Sequence, residues 1–196
     1  MVGRCTVGGK KEPWDFSRKK SQAVFVRDDK IVIRPITPKN EEFYRSIRTQ
    51  YSIMYKSACD AAKEKGGNLF ISEISPPEEF YCIIEKDDVP AGYLGIKDTS
   101  TDLWEIAIEL DAKHTRHGLG PQSIRLYLNE IQRITGKGEF KAVVEVDNLP
   151  SQKCFERLSA KLVGLCGSVV LKTDEEKRQI TWKAGEMPCK LRPYPL

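Results

Sequence analysis

Two glycines separated by one residue stand between an alternating segment and a segment of helical periodicity, and this junction most constrains the fold. Residues 102–111 alternate apolar and polar side chains, which is typical of a half-buried strand. Residues 121–134 repeat apolar side chains at helical spacing. The junction itself, residues 114–121, reads HTRHGLGP. The sequence therefore predicts a strand, a glycine-containing loop and a helix in direct succession.

Backbone chemistry makes a loop of this kind suitable for binding an anion. Glycine lets the main chain approach a ligand closely and adopt positive φ angles. The first N–H groups of the following helix have no internal partner and lie at the positive end of its dipole, an arrangement that favours phosphate. The alternative is an ordinary strand-to-helix turn that uses glycine, and the loop alone leaves both interpretations open.

Two common phosphate-binding motifs are excluded by their spacing. A P-loop needs GxxxxGK followed by Ser or Thr, whereas the segment that begins at Gly3 places Lys10 one residue late and continues with Lys11. A dinucleotide-binding fingerprint needs a third glycine where this chain has Ser123, and it belongs after the first strand of a domain. Neither type of nucleotide site is therefore expected.

Periodicity along the rest of the chain predicts an α+β domain with helices on a mixed sheet. A helix is predicted after Pro38, with apolar residues from position 43 to position 58 and an end near Gly66. Asn148 is predicted to cap a second short helix over 151–160. Strands are predicted at 23–26, 30–36, 79–85, 91–96, 103–110 and 140–146, with a closing hairpin formed by 162–171 and 179–182.

The net charge lies at one end of the chain. The whole sequence has a net charge of +4, and residues 1–20 contain six basic and two acidic residues, 6 − 2 = +4. The remaining body is neutral, so a nucleic-acid partner is not expected for the folded part. We expect a basic, flexible leader over 1–22, a folded domain over 23–185 and an irregular, proline-containing tail over 186–196.

Cysteine spacing and hydropathy narrow the class of protein further. The six cysteines occur singly, without a CxxC pair, which argues against a zinc ribbon or a redox motif. His114 and His117 have no carboxylate or cysteine at ligand spacing, so we expect no metal. There is no apolar run long enough to cross a membrane and no secretory signal, so a cytoplasmic location without membrane attachment is expected.

Two blocks at a characteristic separation resemble the GCN5-related N-acetyltransferases, the GNAT family. Residues 115–120 read TRHGLG where the family has Gln or Arg, two residues, Gly, one residue, and Gly or Ala, so the first position departs. About thirty residues later the family carries an asparagine, a small residue and an aromatic residue, and this chain has Asn148, Ser151 and Phe155. The likeness covers roughly 30–183, and its spelling is most similar to the branch of ribosomal-protein N-terminal acetyltransferases.

The resemblance implies a fold, an activity and a set of binding residues. The implied fold is a mostly antiparallel sheet of about six or seven strands, flanked by about four helices and splayed between the fourth and fifth strands. The implied activity is N-acetyl transfer from acetyl-CoA, without a metal, to a primary amine. The implied acetyl-CoA-binding residues are Ile108, Glu109 and Leu110 beside the pantetheine, Arg116, His117, Gly118, Leu119, Gly120 and Pro121 around the pyrophosphate, and Asn148, Ser151 and Phe155 in the second block. Proline lacks an N–H, so position 121 offers one donor fewer than most residues would.

Acetyl transfer to an amine needs a proton acceptor. A lysine-like amine has a free pKa of about 10.4, so about one molecule in 2,500 is neutral at pH 7, a penalty of about 4.6 kcal/mol. Strand alternation places Glu105 and Glu109 on one face. The resemblance implies a base near the start of this strand, so Glu105 is the first candidate for the general base and Glu109 the second. The alternative is an exposed sheet carboxylate without a catalytic role. Phe155 cannot donate a proton to the leaving thiolate, and Cys154 is either such a donor or a small buried residue.

The acceptor is undetermined at this stage, either a small molecule or a protein N-terminus. Glu73, Glu78 and Glu79 either attract a cationic amine or belong to a solvated loop. A non-catalytic coenzyme-A-binding or protein-interaction module is the alternative function, and an enzyme whose leader docks on an acidic ribosomal or nucleic-acid surface is another. A homodimer also remains open.

Overall fold

The computed structural model describes residues 14–51, 77–144, 148–158, 161–162 and 168–172. Its strands are β1 (Val26–Arg27), β2 (Ile31–Pro35), β3 (Phe80–Lys86), β4 (Val89–Asp98), β5 (Trp104–Leu110), β6 (Glu139–Val143), β7 (Lys161–Leu162) and β8 (Ser168–Lys172). Its α-helices are α1 (Ser17–Lys20), α2 (Glu41–Tyr51), α3 (Leu119–Thr135) and α4 (Leu149–Glu156), and a 3-10 helix covers Ala112–His114.

The described strands form one sheet in the order β1-β2-β3-β4-β5-β6-β8-β7. Only β5 and β6 pair in parallel, and the other described pairs are antiparallel. This confirms the predicted mixed, mostly antiparallel α+β architecture. The sheet has eight strands rather than six or seven because β1 and β7, each of two residues, extend its two edges.

The parallel pair separates soon after it begins. In the described part of the chain, β5 and β6 are in register only at Trp104 with Phe140 and at Glu105 with Lys141. The pairing of β5 with β4, by contrast, extends to Leu110. The sheet is therefore splayed along most of β5. The resemblance implied a splay between the fourth and fifth strands, and in this structure those strands are β5 and β6 because β1 adds one strand before them.

Helix α3 covers one face of the sheet. Its buried residues include Ile124, Tyr127, Leu128 and Ile131, which follow the predicted helical spacing. They share a core with the buried side chains of β5, among them Trp104. Burial of one helix stripe on a sheet face provides the main stabilising free energy of such a layer.

Helix α2 packs on the opposite face with a smaller aromatic cluster. Tyr44 and Ile47 of this helix are buried with Ile83 of β3 and Tyr93 of β4. The predicted helix is confirmed as far as Tyr51, and its predicted continuation to residue 58 and its end near Gly66 lie outside the described residues. The two faces of the sheet thus have separate cores.

The predicted boundary of the flexible leader is wrong, because residues 14–22 pack on the domain. Phe16 is fully buried and stacks on Phe80 with ring centroids 4.8 Å apart. The Phe16 N–H donates to the Pro77 carbonyl at 3.0 Å, and the Trp14 N–H donates to Thr99 Oγ1 at 3.1 Å. The buried ring of Phe16 anchors this segment on the domain, whereas Trp14 is 39% exposed. Residues 1–13 lie outside the described residues.

The closing hairpin also differs from its prediction. Lys161 pairs with Val170 and Leu162 with Val169, so residues 161–172 contain two strands rather than one long strand over 162–171. Residues 163–167, between these two strands, lie outside the described residues. The second predicted strand, over 179–182, lies outside the described residues.

Candidate active site

The loop after β5 reverses the chain through two left-handed residues. Asp111 accepts a hydrogen bond from the Lys113 N–H through its side chain, which starts the 3-10 helix. Arg116 then has φ +67° and Gly118 has φ +77°. The left-handed region is open to glycine and unfavourable for arginine, so the loop stores backbone strain at Arg116. The predicted succession of strand, glycine loop and helix is confirmed.

The start of α3 presents backbone donors. Gly118 is the N-cap and makes no side-chain capping hydrogen bond. Leu119 and Gly120 belong to the first turn, whose N–H groups lack intrahelical acceptors. Pro121 has no N–H, and the Gln122 N–H donates to the Gly118 carbonyl at 3.3 Å. The donors that the helix itself offers to an anion are therefore those of Leu119 and Gly120.

The two glycines have different structural roles. A Cβ at Gly118 would find only Gln122 Nε2, at 3.8 Å, so this glycine is needed for its positive φ. A Cβ at Gly120 would lie 3.0 Å from Cys154 Sγ on α4 and 3.7 Å from Leu110 Cδ1. The contact with Leu110 is an ordinary van der Waals distance, so Gly120 is needed for the close approach of α4 to α3, and a side chain there would point toward α4.

The splayed part of β5 offers a backbone edge next to this loop. Among the described residues, 106–109 pair with β4 on one side and with no strand on the other. The side chains of Ile108 and Leu110 pack against the larger core. An extended ligand with amide groups could hydrogen-bond along this edge as an added strand does.

The second sequence block begins α4. Asn148 Oδ1 accepts a hydrogen bond from the Ser151 N–H at 3.1 Å, and Pro150 lies in the first turn, so the predicted cap is confirmed. Phe155 is buried in the core. Burial raises the pKa of Cys154 to about 11, so its thiol keeps its proton at neutral pH.

Both candidate carboxylates have a cationic partner on the face opposite α3. Lys97 Nζ donates to Glu105 Oε1 at 2.7 Å, beside a bulge in β4. Arg48 Nη1 of α2 lies 3.4 Å from Glu109 Oε1 and donates to the Tyr93 hydroxyl at 3.0 Å. Glu105 stands where β5 is still paired with β6, whereas Glu109 lies along the splayed segment. The confirmed alternation of β5 thus brings each carboxylate to the face that α2 covers.

A sequence profile of the acetyltransferase (GNAT) family matches residues 40–160. The chain belongs to this family. The assignment confirms the resemblance and the class of enzyme, an N-acetyltransferase. No curated protein matches the chain.

Solved structures of acetyltransferases share the fold. RimJ of Mycobacterium smegmatis in complex with CoA-disulfide is 13% identical, with 78% of this chain and 91% of that chain covered and a TM-score of 0.56. RimL, a ribosomal L7/L12 alpha-N-protein acetyltransferase, in complex with coenzyme A is 15% identical, with 72% and 85% covered and a TM-score of 0.57. The microcin C7 self-immunity acetyltransferase MccE in complex with acetyl-CoA and AMP is 16% identical, with 70% and 82% covered and a TM-score of 0.54.

Arg48 and Tyr93 of this acetyltransferase are neighbours of the candidate site that sequence reasoning missed. Tyr44 and Arg48 are spaced i, i+4 on α2, which places them on one helix face. That spacing was a usable signal, but the contact of Arg48 with Glu109 depends on how α2 lies on the sheet. Burial, and then Glu109, raise the pKa of Tyr93, so its hydroxyl stays protonated.

The remaining candidates from the sequence are the two histidines after β5 and the three glutamates before β3. His117 is exposed, and His114 Nδ1 lies 3.9 Å from Asp111 Oδ2. No group of three His, Cys, Asp or Glu side chains in the described ranges could hold a metal. Glu78 and Glu79 directly precede β3, and Glu73 lies outside the described residues. No helix among the described residues is long and apolar enough to span a membrane.

Proposed function

We propose that this acetyltransferase transfers an acetyl group from acetyl-CoA to the α-amine of a protein N-terminus. The observation that carries the proposal is the glycine loop at the splayed edge of β5. The loop offers backbone donors without a side-chain cap, and the adjacent strand edge has no β6 partner in the described chain. Backbone donors suit a pyrophosphate and a strand edge suits the amides of pantetheine. RimJ, RimL and MccE, whose structures contain CoA or acetyl-CoA, support this choice of cosubstrate.

The residues present fit acetyl-CoA at this place. The backbone around Arg116, Gly118 and Gly120 would surround the pyrophosphate, with His117, Leu119 and Pro121 completing the loop. The edge formed by Ile108, Glu109 and Leu110 would run beside the pantetheine. In the proposed arrangement, Asn148 and Ser151 at the start of α4 lie near the pantetheine. Phe155, further along the same helix, is buried and packs α4 against the core.

The chemical step is direct transfer. The amine nitrogen attacks the thioester carbonyl carbon, a C–N bond forms, the C–S bond breaks, and the thiolate of CoA leaves. The proton lost by the nitrogen passes to Glu105, the first candidate, through a chain of waters, or to Glu109, the second candidate. The ion pair with Lys97 holds the Glu105 carboxylate in place.

No acid is required for the leaving group in this scheme. An ordinary thiol has a pKa of about 8.5, so its thiolate leaves without full protonation at neutral pH. Phe155 has no proton to donate. Cys154 is packed at the contact with Gly120 and is not assigned a role in the reaction.

The choice of an α-amine has a chemical basis, and a protein of the same fold supports it. An α-amino group has a pKa of about 7.8, so about one molecule in seven is neutral at pH 7, against about one in 2,500 for a lysine-like amine. The free-energy penalty of deprotonation that a single carboxylate must offset is therefore smaller for an α-amine than for a lysine-like amine. RimL, which shares the fold, is an alpha-N-protein acetyltransferase.

A thiol-release assay tests the proposal. Purified protein and acetyl-CoA are incubated with Ala-Ala-Ala, its N-acetylated form, Nα-acetyl-lysine amide, a polyamine and an aminoglycoside, and products are identified by mass spectrometry. Acetylation of Ala-Ala-Ala together with inactivity on the N-acetylated peptide is the expected result. Turnover confined to the lysine, polyamine or aminoglycoside would overturn the choice of α-amine, and coenzyme A binding without turnover on any amine would overturn the catalytic proposal.

A further inference from the structure

An ion pair bridges α2 and β5 on the face opposite the large core. Arg48 Nη1 and Glu109 Oε1 are 3.4 Å apart, and the two side chains are 27% and 24% exposed. The Arg48 guanidinium also lies over the Tyr93 ring, 5.8 Å from its centroid. Three secondary-structure elements therefore fix the position of the Glu109 carboxylate.

The second oxygen of this carboxylate has a different environment. The Glu109 carboxylate also accepts a hydrogen bond from the Tyr93 hydroxyl. Its Oε2 atom is nevertheless buried and has no hydrogen-bond partner among the residues that the structure describes. A buried carboxylate oxygen without a donor is unfavourable, so such an atom is a candidate to receive a ligand's N–H. The backbone of Glu109 belongs to the strand edge assigned above to pantetheine, which brings the side chain close to the reacting centre.

We propose that Arg48 and Glu109 form the subsite for the acceptor amine, an inference that rests on the proposed function. Glu109 Oε2 accepts a hydrogen bond from the amine, and the charge of Arg48 disfavours the protonated, unreactive form of that amine. Glu109 would thus contact the substrate, whereas Arg48 acts as a positioning residue through Glu109.

The electrostatic reason follows from opposite signs. A carboxylate alone beside an amine favours the ammonium ion and raises the amine's pKa. A guanidinium next to the carboxylate opposes this effect and leaves the hydrogen bond in place. A neutral pair therefore binds the amine without trapping it in the form that cannot attack a carbonyl.

Titratable and charged groups from four elements face the pair. On α2 the neighbour is Tyr44, on β4 it is Tyr93, on β3 it is Tyr81 with Glu79 before it, and on β5 it is Glu105. Burial opposes the charge of Arg48, but the surrounding Tyr93, Tyr44 and Glu109 outweigh it and raise the Arg48 pKa. Burial and Glu79 raise the pKa of Tyr81, and Tyr93 likewise stays protonated. These tyrosines and Arg48 therefore do not account for a titration seen between pH 6 and 9.

The pH dependence of kcat for Ala-Ala-Ala tests the subsite, because kcat reports groups in the bound complex. Arg48→Gln should move the midpoint of the limb above pH 6 to higher pH by about half a unit to one unit, and Glu109→Gln should move it to lower pH by a similar amount. Arg48→Lys keeps the charge and should keep the limb near the wild-type position. The double variant Arg48→Gln/Glu109→Gln removes both charges and should return close to the wild type.

A second readout needs no turnover. The side-chain methyl group of the first alanine in 13C-labelled Ala-Ala-Ala reports the protonation state of the adjacent amine. Its NMR signal is followed against pH in the complex with enzyme and coenzyme A. The pKa of the bound amine should shift in the same directions as the limb of the kcat profile. N-acetylated Ala-Ala-Ala, which has no titrating amine, is the control. A bound amine pKa that is unchanged in both single variants would overturn the subsite. If Arg48→Gln does not fold, an unshifted limb in folded Glu109→Gln would overturn it.

The two proposals fail in distinguishable ways. A wild-type enzyme that neither binds nor acetylates Ala-Ala-Ala contradicts the proposed function. A wild-type enzyme that acetylates Ala-Ala-Ala, with variants whose limbs do not move, contradicts the subsite alone.

Discussion

Gly120 and Cys154 are in direct contact: Cys154 Sγ would lie only 3.0 Å from a Cβ atom placed at residue 120. The contact joins the first turn of α3 to α4 beside the end of β5. The loop geometry therefore depends on a packing relationship between residues from the two family blocks. A substitution of Gly120 is therefore a poor test of ligand binding, because the new side chain would contact Cys154 on α4 and disturb the packing of the two helices.

Gly120→Ala should destabilise the fold by about 1–3 kcal/mol, even though alanine is the better helix former, because the added methyl overpacks against sulfur. Cys154→Ala creates room, so the double variant should recover much of that loss. Urea unfolding of the wild type, both single variants and the double variant measures the coupling. Strictly additive effects would contradict the contact.

Gln122→Glu should weaken coenzyme A binding about fivefold to tenfold, because it places a negative charge beside Gly118, where the pyrophosphate is proposed. The same change should leave stability equal or higher by about 0.3–1 kcal/mol, since an acidic side chain near a helix N-terminus is favourable. Asn129→Asp, an exposed change about 10 Å further along α3, is the matched control and should not alter affinity. Calorimetry with coenzyme A measures both, and equal affinities for Gln122→Glu and wild type would argue against phosphate at this loop.

Deleting residues 1–13 should change the free energy of unfolding by less than about 0.5 kcal/mol and leave coenzyme A affinity intact. Phe16→Ala in the full chain should cost about 3–5 kcal/mol, because this ring is fully buried against Phe80. Arg18→Ala, an exposed neighbour, is the control for changes in the same segment. A Phe16→Ala protein as stable as the wild type would remove this segment from the core.

Glu105→Gln should lower kcat by about 10² to 10⁴ and leave coenzyme A affinity nearly unchanged, because it keeps the side chain's shape and removes its proton acceptor. Glu85→Gln is the matched control, since Glu85 also pairs with a cation on the sheet, Arg34, at 2.7 Å. A Glu105→Gln enzyme with the wild-type kcat would leave Glu109, or a water held by backbone carbonyls, as the proton acceptor.

The sequence alone determined the features that arise within a short stretch of chain. Apolar alternation identified β5, helical spacing identified α3, and the glycines between them identified the loop. The asparagine cap of α4 was also predictable, because Asn148 and the Ser151 N–H are three residues apart. Two such local blocks at a fixed separation were enough to indicate the family.

Only the tertiary structure decided the relationships between distant residues. Arg48 and Glu109 are 61 positions apart, and their contact depends on how α2 lies on the sheet and on the register of β4 with β5. The sequence predicted a charged leader that includes Phe16, whereas in the structure the Phe16 ring is buried against Phe80. The two glycines look alike in sequence, but one is required by backbone φ and the other by the approach of a sulfur atom from another helix. Local patterns encode secondary structure, whereas these contacts depend on how the elements pack together, and no single segment contains that information.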